Sequence, residues 1–260
     1  MRLATWNVNS LKMRLPRVLE FLAEHAPDVL CLQETKSEPA AFPHAELAEA
    51  GYAAADHSGG RWAGVALLAR DGLALEDPVR GLPGEPAQDE CRWIEATIGS
   101  HPPVRVASTY VPNGRVLDSE WYAAKLTFLA AAAERVAALR GGPLVVAGDV
   151  NVAPGDLDVY DPAAFVGSTH VSGPERRALH EICDAGGLVD AFRMLHPDEP
   201  GYTWWDYRAG HFHKRMGLRI DLTLVSRDIA ERVTRCGIER PYRKGAKPSD
   251  HAPLVVEWDD

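Results

Sequence analysis

Leu144-Val145-Val146-Ala147-Gly148-Asp149-Val150-Asn151 is a short apolar run that ends on a carboxylate and a carboxamide. A run with no polar alternation reads as a strand covered on both faces. Such a strand belongs to a sheet with a packed layer on either side. Asp149 and Asn151 are two residues apart, so in a plain strand both point to one face. There Asp149 can take a proton from a water as general base, and Asn151 can hold a phosphate or a metal. An Asp/Asn turn after a buried strand has the same local signature, so the decision comes from the rest of the chain.

Working outward, the design recurs. Leu3-Ala4-Thr5-Trp6 runs into Asn7, Val29-Leu30-Cys31-Leu32 into Gln33-Glu34, and Val104 to Thr109 into Tyr110. Arg219-Ile220-Asp221 opens another run, and Ser249-Asp250-His251 precedes Leu254-Val255-Val256. Strand ends that converge on one rim of a sheet place distant residues side by side. Glu34 suits Mg²⁺, which prefers oxygen ligands, and Asn7 ends the neighbouring run. Tyr110 can donate to a phosphate oxygen, or simply pack with its hydroxyl at the surface. Asp250 or Asp221 can fix the tautomer of His251; a satisfied structural histidine is the plainer reading. No G-x-S-x-G elbow accompanies it, which disfavours a serine hydrolase. Glycine-rich nucleotide and Walker-type loops are also missing. Thr203-Trp204-Trp205-Asp206-Tyr207-Arg208 sets aromatics beside arginines, able to pack on a sugar or base and anchor phosphates, or to fill a core.

The 260 residues fit one large domain or two small ones. Cys31, Cys91, Cys183 and Cys236 are scattered, which speaks against a zinc ribbon and a disulfide scaffold. The first residues enter a strand without a leader pattern, and no stretch is apolar enough to span a bilayer; a soluble, cytoplasmic protein is expected. The net charge of −9 is unlike that of a general nucleic-acid binder. Positive residues nevertheless concentrate between Arg208 and Lys247, either as a phosphate-binding face or as dispersed, solvated charge.

Hydrophobic spacing predicts a strand, helix and strand over residues 2–8, 14–25 and 28–33, then a loop and short helix to Gly51. Strands follow over 61–70 and 91–98, the second half-buried by its alternation, with a turn at His101-Pro102-Pro103. A helix over 120–140, capped by Asp118 or Ser119, leads to the 144–150 strand. A long irregular loop spans 156–171, a helix 174–185, and strands 202–207, 220–226 and 254–258. Many short strands mixed with three or four helices indicate a single domain over residues 1–260, with two sheets between helix layers.

Taken in order, eight segments resemble the exonuclease III family of DNA-repair nucleases. They are Trp6-Asn7-Val8-Asn9-Ser10-Leu11, Leu32-Gln33-Glu34-Thr35-Lys36, Gly64-Val65-Ala66-Leu67-Leu68 and Tyr110-Val111-Pro112-Asn113-Gly114. The others are Gly148-Asp149-Val150-Asn151-Val152, the segment from Tyr202 to Arg208, Arg219-Ile220-Asp221 and Pro248-Ser249-Asp250-His251-Ala252-Pro253. The resemblance implies an α/β fold: a four-layer α/β/β/α sandwich of the DNase I-like kind, with two packed mixed sheets flanked by helices. It implies cleavage of duplex DNA 5′ to abasic sites, with 3′→5′ exonuclease and 3′-end-trimming activities in base excision repair. Mg²⁺ is the implied cofactor, with Mn²⁺ as a substitute. The implied partner is double-stranded DNA with abasic sites or 3′ ends, met by a monomer near the nucleoid and away from membranes.

By position, the resemblance makes Glu34 the principal metal ligand with Asn7 in its shell, and Asp149 the residue that activates water. Asn151 and Tyr110 become phosphate and transition-state contacts, Asp250 a carboxylate in or near the metal shell, His251 the phosphate-binding histidine and Asp221 its orienting partner. Metal contacts are also expected of Asp149, Asn151 and His251. Trp204 and Trp205 fall where the family lines its abasic-sugar pocket, and Arg92, Asn113, Lys125 and Arg208 at DNA contacts. Two positions depart: many relatives carry Gln where this chain has Asn113, and Asn9-Ser10 stands for Asn-Gly. The same Asn7, Glu34, Asp149, Asn151 and His251 chemistry would serve an inositol-phosphate or sphingolipid phosphodiesterase. A catalytically dead binding module is the reading outside enzymes.

Overall fold

The structure, a computed structural model, describes residues 1–99 and 102–259. The turn expected at His101-Pro102-Pro103 begins at His101, outside the described residues. The first half of the chain forms β1 (Arg2–Asn7), α1 (Leu11–His25), β2 (Val29–Gln33), α2 (His44–Glu49), β3 (Tyr52–His57) and β4 (Val65–Arg70). Next come β5 (Leu75–Arg80), β6 (Trp93–Ile98), β7 (Val104–Tyr110), α3 (Glu120–Leu139), β8 (Leu144–Asp149) and α4 (Gly173–Gly186). The chain finishes with β9 (Leu188–Asp190), α5 (Ala191–Leu195), α6 (His211–Lys214), β10 (Asp221–Ser226), α7 (Arg227–Ala230), β11 (Val233–Ile238) and β12 (Leu254–Trp258).

The strands make two six-stranded mixed sheets, ordered β11-β12-β1-β2-β4-β3 and β5-β6-β7-β8-β10-β9. The orders correspond strand for strand. Each sheet has a central parallel pair joined through a helix, β1-α1-β2 in one and β7-α3-β8 in the other, with antiparallel neighbours on both sides. Leu3, Cys31 and Leu67 of the first sheet pack against Ile94, Val106 and Val145 of the second. Val18, Phe21 and Leu22 of α1 cover Ala4, Leu30 and Leu32 on the first sheet's outer face. Phe128, Val136, Leu179 and Ile182 of α3 and α4 cover Val146 and Leu222 on the other. Two mixed sheets flanked by helices are the layers expected from the runs buried on both faces. The arrangement brings the C-terminal ends of all four parallel strands to one rim, where Asn7 pairs in register with Gln33 and Tyr110 with Asp149.

Local chemistry explains the element boundaries. Helix α1 begins three residues before the expected Arg14, because Ser10 and Leu11 donate their N–H groups to the Glu34 and Thr35 carbonyls beyond β2. Ser119, one of the two expected caps, accepts from Tyr122 N–H at 3.2 Å. Ser172 and Glu175 form a capping box on α4. All four cysteines are free, and burial pushes the Cys31 thiol up.

Several expectations need correction. The strand read over 202–207 is absent: Trp204 makes only isolated bridges to Leu218 and His251. The strand read over 61–70 starts at Val65. β6 is not half-buried, since Trp93 and Glu95 lie under α3, where Arg105 and Arg135 hold the Glu95 carboxylate. Sequence reading missed β3, β5, β9 and β11. β5 is exposed along most of its length and carries Pro78 at a register shift, and β11 has exposed residues and a register shift of its own. A half-solvated strand with irregular pairing has no clean alternation to read.

Candidate active site

The rim is shaped by its backbone. Gly148, at φ 154°, makes the bend before Asp149; a Cβ there would lie 2.0 Å from the Thr109 carbonyl oxygen, so only glycine fits. Glu34 (φ 51°), Asn151 (φ 51°) and Asn9 (φ 44°) all adopt left-handed conformations. Non-glycine residues in this region carry strain that the surroundings must outweigh, and such residues gather at functional sites.

Asn7 is buried, and its Nδ2 donates to Glu34 Oε1 at 2.7 Å and to Asp149 Oδ2 at 2.9 Å. One carboxamide from the first sheet thereby fixes a carboxylate from each sheet. Its Oδ1 accepts from Asn9 N–H at 3.0 Å and keeps a second lone pair. Asp149 Oδ1 accepts from Asn151 N–H at 2.9 Å. His251 Nε2 lies 3.8 Å from Asp149 Oδ2, and its Nδ1 donates to Asp221 Oδ2 at 2.8 Å. Asp221 faces Asp149 in register across β10 and β8. Glu34, Asp149 and His251 offer ligand atoms that all lie within 4.8 Å of one another.

Electrostatics separate the roles. Burial pushes Asp149 up to about 7, aided by the Asp221 and Glu34 charges and opposed by His251 and Asn7. Burial alone would lower His251, but Asp221, by charge and hydrogen bond, together with Asp149 and Asp250 holds it up at about 10. In its protonated form the ring donates through Nε2, and a divalent cation among the grouped ligand atoms would compete with that proton. Burial, with the charges of Glu34 and Asp149, raises the Tyr110 hydroxyl, which is within hydrogen-bonding reach of Glu34. Lys36 Nζ lies 2.8 Å from Glu34 Oε2. Two carboxylates with excess buried negative charge and hard oxygen donors fit a small divalent cation.

The remaining expected residues divide. Asn151 Nδ2 donates to the Val111 carbonyl at 2.9 Å, and its Oδ1 accepts from Asn113 Nδ2 at 3.3 Å, which places both on the rim. The Asp250 carboxylate accepts from Asn9 Nδ2 at 3.0 Å and Trp204 Nε1 at 3.1 Å, which orients the indole, and its charge reaches His251. Lys125 cannot be a DNA contact, because its side chain is 0 % exposed and paired with Glu175. Trp205 is 2 % exposed and packs with Phe212 and Ala252, so it walls no pocket. Trp204 does: with Phe165, His170, Leu218 and Arg115 it lines a cavity of about 450 Å³. Arg92 sits behind Tyr110, 4.6 Å over its ring and bound to Glu90, while Arg208 is exposed and paired with Asp206.

The basic stretch is only partly a surface. Arg219 is buried against Asp158 and Asp190, Arg235 binds Glu239 and Glu257, and Arg232 donates to backbone carbonyls. His170 was missed. At φ 75° on the irregular loop, its Nδ1 lies 2.6 Å from the Asn151 carbonyl and its Nε2 3.4 Å from Asn113 Nδ2. Burial, with the Lys125 charge, lowers it to about 4, so it is neutral. No periodicity marks it; the Ser172-to-Glu175 capping box just downstream was the available signal, since Glu175 Oε1 accepts from His170 N–H.

Residues 4–251 match the Endonuclease/Exonuclease/phosphatase family. Exodeoxyribonuclease III of Haemophilus influenzae is 32% identical over 270 residues, spanning 99% of this chain and all of that protein. Among solved structures, a variant of the 3′ phosphatase NExo from Neisseria, bound to a product DNA hairpin, is 39% identical with a TM-score of 0.95 and full coverage of both chains. An AP endonuclease from Archaeoglobus fulgidus is 36% identical with a TM-score of 0.94, again over both whole chains. Matches of this extent, on a rim that gathers Asn7, Glu34, Asp149, Asn151, Asp221 and His251, place the chain in the endonuclease/exonuclease/phosphatase family, as a nuclease of its exonuclease III branch.

Proposed function

We propose that this protein is a Mg²⁺-dependent DNA-repair nuclease. It cleaves duplex DNA 5′ to abasic sites and trims 3′ ends as a 3′→5′ exonuclease and 3′-phosphatase or phosphodiesterase, within base excision repair. The observation that carries the reading is the Asn7 amide bridging Glu34 and Asp149, with the His251 ring beside them.

In this reading Glu34 and Asp149 would hold the divalent cation, Mg²⁺ or Mn²⁺ in its place, which supplies positive charge against the scissile phosphate and the departing 3′-oxygen. Asp149, poised near neutrality, takes the proton of the attacking water as the new P–O bond forms. The bond to the 3′-oxygen breaks in line. His251 donates to the phosphate oxygens as their negative charge grows, and Asp221 holds the ring protonated and aimed. Asn151 and Tyr110 position the phosphate. The cavity beside Trp204 takes the bare sugar of an abasic site, which has no base left to unstack. Asn113 and Arg208 contact the DNA backbone and position the duplex without reading its sequence. The protein acts as a monomer with a single catalytic domain, in the cytoplasm at the nucleoid.

The test is a gel assay with three duplexes, carrying an abasic analogue, a 3′-phosphate or neither, with and without chelator. Cation-dependent incision at the abasic analogue and loss of the 3′-phosphate support the proposal. Release of phosphate from inositol polyphosphates with no DNA cleavage overturns it.

A further inference from the structure

A second cavity, of about 430 Å³, shares Arg115 with the first and is otherwise lined by different residues, among them Trp62, Arg92, Tyr110, Asn113 and Trp121. Asn113 ties it to the rim, donating through Nδ2 to Asn151 Oδ1 at 3.3 Å, so it opens beside the cluster described above. Its walls are unusual for a surface. Trp62 is 76 % exposed and Trp121 45 % exposed. Two large rings left in water beside a cleft mark a binding surface more strongly than scattered apolar residues do. The Arg115 guanidinium stands 4.4 Å over the Trp121 ring. Arg115 holds a left-handed backbone (φ 52°), with its N–H donating to Asn113 Oδ1 at 3.1 Å, so its position is tied to the rim.

Exposed indoles with an adjoining guanidinium form the combination that holds single-stranded nucleic acid: the base stacks on a ring and the phosphate meets the cation. With a net charge of −9 the chain as a whole does not attract DNA, so local cations must supply the phosphate contact. We infer that the Trp62–Trp121 groove is a subsite for one unpaired nucleotide of the strand being cut, its base against an indole and its phosphate at Arg115. The inference rests on the nuclease reading and adds a preference to it: frayed or mismatched 3′ ends are processed better than fully paired ones.

The experiment compares two duplexes that differ only in whether the 3′-terminal nucleotide is paired or mismatched. Trp62→Ala and Trp121→Ala should each lower kcat/KM on the mismatched end by roughly fivefold to a hundredfold, and change the paired end by less than about twofold. Trp62→Phe and Trp121→Phe should restore most of the loss. A second measurement uses the chelated protein and a single strand bearing 2-aminopurine at its 3′ end. The wild type should quench the fluorescence by stacking, and the double alanine variant should not. Equal losses on both duplexes, no loss on either, or quenching that survives the double substitution would overturn the subsite. Failure of the wild type to cleave any DNA defeats the nuclease reading instead, and the fluorescence still reports on the groove.

Discussion

The His251 imidazole hydrogen-bonds through Nδ1 to Asp221 Oδ2 at 2.8 Å and presents Nε2 to Asp149 Oδ2 at 3.8 Å. Asp221 has the largest effect among the charges that hold the ring protonated to about pH 10 against the effect of burial. Replacing Asp221 with Asn removes that charge, so the ring titrates lower. At pH 8, single-turnover cleavage by Asp221→Asn should fall about 10²–10⁴-fold. Because its His251 regains a proton in acid, the deficit should shrink toward pH 6; a deficit constant with pH would contradict the assignment.

Asp149 predicts the pH dependence of stability. Its folded-state value, about 7, lies above its ordinary value of 3.8, so the folded protein binds more protons between those limits and stability falls as pH rises through that window. A protein kept in chelator should therefore lose up to about 4 kcal/mol between pH 4 and 8 from this group. Asp149→Asn should flatten that part of the denaturant-melt profile. Added Mg²⁺ should stabilise the wild type more than the variant.

Lys125 and Glu175 form a fully buried ion pair. Lys125 Nζ also donates to the Asn151 carbonyl at 2.6 Å, and Glu175 accepts from Thr169 Oγ1 at 2.8 Å. Lys125→Met leaves a buried carboxylate without its cation and should cost about 3–5 kcal/mol in urea unfolding. Lys125→Met combined with Glu175→Gln should recover much of this. Full additivity of the two losses would show that the groups act independently.

Asn7, Glu34, Asp149 and His251 were legible because each ends or adjoins an apolar run, and apolar runs buried on both faces must lie in sheets. Their meeting on one rim was not legible from periodicity, since it follows from two corresponding β-α-β units packed face to face. Lys125 and Trp205 were misread for one reason: sequence shows a cation or an indole near the site but not which side of the helix or loop turns inward. Asp250 stands next to His251 in the chain, yet the register turns its carboxylate to Trp204. His170 lies on a loop without periodic signal, and only the fold brings it to Asn113 and Asn151.

Trp204 lines the first cavity, and Asp250 Oδ2 accepts from its Nε1 at 3.1 Å. Trp204→Ala should lower incision at an abasic analogue by about tenfold or more, given a stacking contribution of roughly 1–3 kcal/mol. Removal of a 3′-phosphate should suffer less. Equal losses in the two gel assays would show that the indole serves folding rather than sugar recognition.

We propose that one rim, built from the ends of both sheets, performs cation-dependent phosphodiester hydrolysis with Asp149 as the base. Single-turnover cleavage of an abasic duplex by Asp149→Asn and wild type, each with Mg²⁺ and with chelator, tests it most directly. Cleavage by the variant in Mg²⁺ should fall roughly 10²–10⁴-fold, and wild-type cleavage should be lost in chelator. Full activity of Asp149→Asn with Mg²⁺ would contradict it.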